Sequence, residues 1–166
     1  MDPKVVLRQA TLPEDARKIA RLAHAIWREH YTPIIGSAQV EYMLERFQSA
    51  PAIETQIANG MEYYLILSGG QAVGYLAFEK RGEALFLSKI YLLEGFRGQG
   101  LGREAMEFIT REALDRGCHT ISLTVNKNNS RSIAAYEGMG FEKKEALVMD
   151  IGEGFVMDDY RMEKAL

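Results

Sequence analysis

Residues 89–102, KIYLLEGFRGQGLG, constrain this chain more than any other stretch. A continuous apolar run, Ile90-Tyr91-Leu92-Leu93, leads through Glu94-Gly95-Phe96 into Arg97-Gly98-Gln99-Gly100-Leu101-Gly102, and a helical pattern follows at once. A strand that feeds a glycine-rich turn and opens a helix is a recurrent way to hold phosphate. Glycine lets the backbone approach closely, N–H groups point outward, and the helix N-terminus adds positive potential. The stretch predicts an anion site. The rest of the chain has to say which anion.

Upstream, Val5-Val6-Leu7 reads as a short strand. Thr11 and Glu14 have capping-box spacing, and Ala16, Ile19, Ala20, Ala23, Ile26 and Trp27 recur with helical period to about His30. Pro33 and Gly36 are the expected breaks. Ser37 is placed to cap a second helix with Val40, Met43, Leu44 and Phe47 on its apolar face, and a short third helix fits between Pro51 and Asn59-Gly60. The period then changes. Residues 61–67, 72–80 and 84–93 read as three strands joined by short glycine turns, an antiparallel meander.

Downstream of the turn, Leu101, Ala105, Phe108, Ile109 and Ala113 mark one face of a helix that ends near Gly117. Thr120 to Val125 alternates strictly, and the helix before it predicts a strand parallel to 84–93. Asn128 or Asn129 caps a short helix through Tyr136, stopped by Gly138 and Gly140. Two last strands lie near 141–150 and 154–163. The expected class is α+β, in three layers: a mixed, mostly antiparallel central sheet of about seven strands flanked by helices. With 166 residues, one domain over 1–166 is the simplest organisation.

Composition excludes more than it identifies. A formal charge of −3 gives no electrostatic case for nucleic acid or an anionic membrane. No apolar run approaches the roughly 20 residues of a membrane span. The single Cys118 cannot form an internal disulfide, and MDPKVVLRQA is too short and too charged for a signal peptide, so the cytoplasm is the expected compartment. His24, His30 and His119 lack metal-ligand spacing, so no metal is expected.

Two familiar phosphate loops fail on spacing. A dinucleotide G-x-G-x-x-G starting at Gly98 or Gly100 would need glycine where Arg103 or Ala105 stands. A nucleotide P-loop needs Lys-Ser/Thr where Gly102 is followed by Arg103-Glu104. A third pattern fits. Arg97-x-x-Gly100-x-Gly102 resembles the (Q/R)-x-x-G-x-(G/A) signature of the GNAT superfamily of N-acetyltransferases. Asn129-x-x-Ser132-Ile133-x-x-Tyr136-x-x-x-Gly140-Phe141 resembles that family's second signature. Element order agrees along the whole chain, and the specific motifs lie between Lys89 and Phe141.

The resemblance implies a GNAT-like acyl-CoA N-acyltransferase fold and acetyl-CoA as cosubstrate. It implies that the backbone of Gly98, Gln99, Gly100, Leu101 and Gly102, following Arg97, receives the pyrophosphate. The N–H of Leu92 or a neighbour would polarise the thioester carbonyl and stabilise its developing oxyanion. Asn129 would hydrogen-bond the pantetheine arm. Tyr136 would protonate the leaving thiolate, a transfer in which placement matters more than acidity, since a phenol titrates near 10 and a thiol near 8.5. Some relatives carry a glutamate base on the strand before the turn. Ser88 stands at that position, with Glu79, Glu94 or a water chain as substitutes.

Bland alternatives stay open for each residue. Tyr136 also reads as a core tyrosine, Asn129 as a helix cap, Arg97 as a solvated turn residue and Cys118 as a packed thiol. Trp27, Tyr31, Tyr42 and Met43 read as core or helix contacts, in a region that walls the acceptor site in the family. Asp158 and Asp159 must face opposite ways on a late strand, as a solvated edge or an acidic rim. The reading is direct acetyl transfer to a primary amine. A small amine such as a polyamine or amino-acid derivative comes first, with Glu29, Glu41, Glu45, Asp158 and Asp159 available to a cation. A protein or peptide amine, or a non-catalytic CoA-binding module, is the alternative. A nucleotide-binding α/β protein is a weaker third. A homodimer is compatible with the resemblance, which identifies no interface.

Overall fold

The computed structural model describes residues 5–166. In chain order the elements are β1 (Val5–Gln9), α1 (Pro13–Ile35), α2 (Ser37–Phe47), α3 (Ala50–Ala58), β2 (Glu62–Ser68), β3 (Gln71–Arg81) and β4 (Ala84–Leu92). A one-turn 3-10 segment, Glu94–Phe96, leads to α4 (Leu101–Asp115), β5 (Thr120–Asn126), α5 (Ser130–Gly138), β6 (Glu142–Gly152) and β7 (Phe155–Ala165). The seven strands form one mixed sheet in the order β1-β2-β3-β4-β5-β7-β6. The α+β class with a meander before a central β-α-β unit is therefore observed. By compactness the chain divides into two units, residues up to Glu79 with Lys89–Glu107, and Lys80–Ser88 with Phe108–Leu166.

In the first unit β1, β2 and the following strand run antiparallel, with Leu7 opposite Ile66 and Leu65 opposite Tyr75. The β2–β3 register shifts between Ile66 and Leu67, which face Gly74 and Ala72, so Val73 is an extra residue there. The helix α1 buries Ala16, Ile19, Ala20, Ala23, Ile26, Trp27 and Tyr31, the face its period predicts. Its start differs from the expected Thr11–Glu14 box. The N-cap is Leu12, and Asp15 Oδ2 accepts the backbone N–H groups of Thr11 and Leu12 at 3.1 Å each. Asp15, one residue further into the turn than Glu14, is the carboxylate that reaches back to both donors. Burial opposes ionisation of Asp15, but those two N–H groups and the Arg8 guanidinium at 3.0 Å together hold its carboxyl below the usual value.

The end of α1 also differs. The helix passes through Pro33 to Ile35, because a proline in the last turn removes one N–H without having to be bridged by a long continuation. Gly36 at φ 86° then ends α1 and precedes α2, so Ser37 is the first helical residue rather than its cap. Ser49 caps α3, accepting the N–H of Ala52 at 3.3 Å, with Pro51 in the first turn.

In the second unit β5 buries Ile121, Leu123 and Val125 and turns its other face outward, as the alternation requires. The start of β4 pairs parallel with it, Leu85 opposite Ile121, and β7 pairs antiparallel on its other side, Met162 opposite Leu123. The hairpin of β6 and β7 turns at Gly152-Glu153-Gly154, all three with positive φ.

Candidate functional site

The turn predicted from sequence is built within the first unit. Leu93 N–H, one residue past the end of β4, donates to the Val73 carbonyl at 2.9 Å, so the chain there turns its donor toward β3. Backbone donors alternate sides along an antiparallel strand, which directs Leu92 N–H away from β3. The Leu92 carbonyl shares that outward direction and accepts Arg97 Nε at 3.3 Å. Phe96 N–H bonds to Leu93 O at 3.0 Å, Arg97 N–H to Glu94 O at 3.1 Å, and Gln99 Nε2 to Gly95 O at 3.1 Å. Arg97 and Gln99 thus shape the turn through their side chains.

Gly98 and Gly100 take φ 75° and 82°, a conformation that disfavours any side chain. A Cβ placed at Gly98, Gly100 or Gly102 would meet no protein atom within 4 Å. The bare backbone here is not needed for packing and leaves space for a ligand. Glu104 N–H bonds to Gly100 O at 3.1 Å, the first rung of α4. The N–H groups of Leu101, Gly102 and Arg103 consequently lie in the first helical turn, where no intrahelical acceptor exists. Positive-φ glycines followed by a helix N-terminus suit a pyrophosphate.

Behind Leu92 lies an aromatic cluster. The Tyr91 ring sits 4.8 Å from Tyr75 and 5.6 Å from Trp27, centre to centre. Trp27 Nε1–H donates to Tyr75 Oη at 3.0 Å, and Tyr75 donates to Gln48 Oε1 at 2.6 Å. Gln48 Nε2 reaches Phe47 O at 2.8 Å and Tyr63 Oη at 3.3 Å. Tyr63 donates to Gln56 Oε1, and Gln56 Nε2 closes on Phe47 O at 2.7 Å. This buried chain ties α1, the end of α2 and α3 to β2 and β3. Burial pushes the Tyr63 phenol up to about 12 and the Tyr75 phenol well above its ordinary value, so both are donors at neutral pH. Trp27 and Tyr31 are thus core residues, as one reading held; Lys89 Nζ lies 5.9 Å from the Tyr31 ring centre.

The second unit holds the other signature. Asn129 is the N-cap of α5, its Oδ1 accepting Ser132 N–H at 3.4 Å, and it is buried. Tyr136 is buried on α5, edge-on to Phe141 at 5.6 Å. Asp158 and Asp159 do face opposite ways. Asp158 is exposed and pairs with Lys127 Nζ at 2.8 Å, while Asp159 is 3% exposed. That hydrogen bond to Asp158 raises the Lys127 ammonium above its ordinary value. Cys118 is a buried thiol.

Leu92, Arg97 and Gly98 to Gly102 therefore share one strand–turn–helix of the first unit, and Asn129 and Tyr136 share one helix of the second. The acidic side chains expected to meet a cation are less uniform. Glu29 and Glu45 are exposed, but Glu41 is held by Arg28, Nε to Oε1 at 2.8 Å. Sequence reasoning passed over Gly74, Gln48, Tyr63 and Tyr75. An isolated glycine inside a strand signals close backbone approach, and Gly74 carried that signal. The three polar partners carried none, because their pairing spans 48 residues of sequence in one bond and 27 in the next.

Residues 20–141 match the family described as the acetyltransferase (GNAT) family. A thialysine N-epsilon-acetyltransferase of Bos taurus is 31% identical over 72 residues, 43% of this chain and 42% of that protein. A streptothricin acetyltransferase of Streptomyces lavendulae is 37% identical over 75 residues, 45% of this chain and 38% of that protein. These matches span less than half the length of either relative. A PaiA N-acetyltransferase from Thermoplasma acidophilum, solved in complex with coenzyme A, superposes with TM-score 0.84 at 17% identity, covering 98% of this chain and 99% of that one. That likeness is one of fold.

Proposed function

The chain belongs to the GNAT acetyltransferase family, and from that membership we propose that it transfers an acetyl group directly from acetyl-CoA to a primary amine. One observation supports this above the others: the strand–turn–helix from Leu92 to Gly102 offers an outward N–H, two positive-φ glycines with open space, and a helix N-terminus in succession.

Acetyl-CoA, when bound, supplies an activated acyl carbon and a thiolate leaving group. In this reading Gly98 to Gly102 hold the pyrophosphate through backbone N–H groups. Leu92 N–H donates to the acyl oxygen, a preorganised contact that costs no reorganisation during reaction. Asn129 binds the pantetheine arm. Tyr136 Oη holds the proton delivered to the departing sulfur. The amine, with a conjugate acid near 10, must first lose a proton. Ser88 cannot accept it at neutral pH, so Glu79, Glu94 or water leading to bulk solvent takes that role.

A small amine is the proposed acceptor, because the two curated relatives above are named for thialysine and streptothricin. Exposed Glu29 and Glu45 add negative charge on the helices of the first unit. The test is acetyl-CoA turnover, read as free-thiol release, across polyamines, amino acids, aminoglycosides and peptides. Turnover with a small amine is expected. Peptide turnover alone would move the acceptor to the protein class. Binding without turnover on any amine would replace the enzyme with a CoA-binding module.

A further inference from the structure

Gly74 lies in the interior of β3, buried, with ordinary strand backbone, so no turn or positive φ explains a glycine there. What explains it is β4. A Cβ built on Gly74 would fall well inside van der Waals contact of the Tyr91 carbonyl oxygen, 2.9 Å from Leu92 Cδ2 and 3.2 Å from Leu92 Cα. The first of these is a backbone atom and cannot rotate aside. Beside it, Val73 is the extra residue of the β2–β3 register shift, and its carbonyl takes Leu93 N–H at 2.9 Å. A bulge of this kind bends a strand and re-aims its neighbours.

The consequence runs through one peptide group. Tyr91 C=O and Leu92 N–H belong to the same planar trans peptide, so they point in opposite directions. With the carbonyl leaning over Gly74, the Leu92 N–H must face away from β3. The other side of Tyr91 is fixed by its ring, which Tyr75 and Trp27 flank while hydrogen-bonded to each other at 3.0 Å. The backbone orientation is therefore set by a missing side chain on one strand and by a pinned ring on the other.

We propose that Gly74 is a positioning residue for acyl transfer: its bare α-carbon lets the Tyr91–Leu92 peptide turn so that Leu92 N–H meets the acyl oxygen. This rests on the reading above that Leu92 N–H is the acyl-oxygen donor. Gly74 touches neither substrate. A methyl group there moves the peptide and misaligns the donor, while the phosphate turn, on separate residues, keeps its shape.

Gly74→Ala tests this. The variant is expected to bind CoA within about threefold of wild type, and to lose about 100-fold in kcat with KM little changed, the loss a displacement near 1 Å gives. A second readout needs no acceptor. The infrared carbonyl band of isotope-labelled acetyl-CoA should fall in frequency on binding wild type, and fall much less on binding Gly74→Ala. Equal band shifts and equal kcat in the two proteins would overturn the proposal. Gly74→Ala combined with Leu92→Ala removes the Cδ2 contact but not the carbonyl one, so no rescue is expected; full rescue would mean side-chain crowding and would also overturn it. Should Gly74→Ala fail to fold, amide exchange in wild type decides. Leu92 N–H should exchange at least about tenfold faster than Leu93 N–H in the free protein, and slow more with acetyl-CoA than with CoA. Equal protection of the two amides would end the proposal. Failure of wild type to bind acetyl-CoA at all would instead remove the function on which it rests.

Discussion

Trp27 donates its indole N–H to the hydroxyl of Tyr75 at 3.0 Å, although 48 residues separate them in the chain. The same hydroxyl donates onward to Gln48, so Tyr75 is both acceptor and donor at the centre of a buried chain. The two links at Tyr75 are directional and buried. Tyr75→Phe keeps the ring against Tyr91 but leaves the Trp27 donor and a Gln48 acceptor unmet. A loss of about 1–3 kcal/mol is expected from urea unfolding, the cost of stranding buried polar groups. A loss under about 0.3 kcal/mol would show that the chain contributes nothing net.

Tyr63 and Tyr75 also set an alkaline limit. Burial raises both phenols in the folded protein, Tyr63 to about 12. A group with a raised folded value contributes stability that is complete below its unfolded value, here 10.0, and is lost as pH rises toward the folded one. Unfolding free energy should therefore fall from about pH 10 upward. The fall should be shallower in Tyr63→Phe once its lower starting stability is subtracted.

Asp15 gives the opposite dependence. Burial works against its charge, but the N–H groups of Leu12 and Thr11 and the Arg8 guanidinium outweigh it, so the folded carboxyl titrates low. A depressed value contributes stability that is complete above the unfolded 3.8 and is lost as pH falls through the folded value. Asp15→Asn should cost about 1 kcal/mol at pH 7 through the lost cap, and the gap to wild type should narrow below about pH 4. A gap independent of pH would assign the effect to packing.

Tyr136→Phe separates catalysis from binding. Removal of one hydroxyl from a buried ring should leave CoA affinity within about threefold and lower kcat by about 10²–10⁴, the range of general acid catalysis. Steady-state kinetics on the best amine found, with calorimetry for CoA, gives both numbers. An unimpaired variant would mean that Tyr136 is the core tyrosine of the alternative reading.

Much of this was legible because the signals were local. Alternation at Ile121, Leu123 and Val125, the glycines at 98, 100 and 102, and the Asn129 cap each act within a few residues, and each takes the predicted element. Helix ends were less legible. Asp15 competed with Glu14 for the same two N–H groups, and position in the turn decided between them. The cluster of Trp27, Gln48, Tyr63 and Tyr75 could not be read at all, since each residue alone looks like an ordinary core or surface side chain. Gly74 was readable only as a warning of close approach, with its partner at Tyr91 supplied by the sheet.

The central claim is that the Leu92–Gly102 segment binds acetyl-CoA, and thermal unfolding with and without the ligand tests it most directly. Wild type should be stabilised by about 2.7 kcal/mol at ligand 100 times its Kd. Gly100→Glu places bulk and negative charge in space that the protein leaves open, at a residue with φ 82°. That variant should show a cooperative transition and no ligand shift. No shift in wild type at millimolar acetyl-CoA, or an undiminished shift in folded Gly100→Glu, would contradict the account.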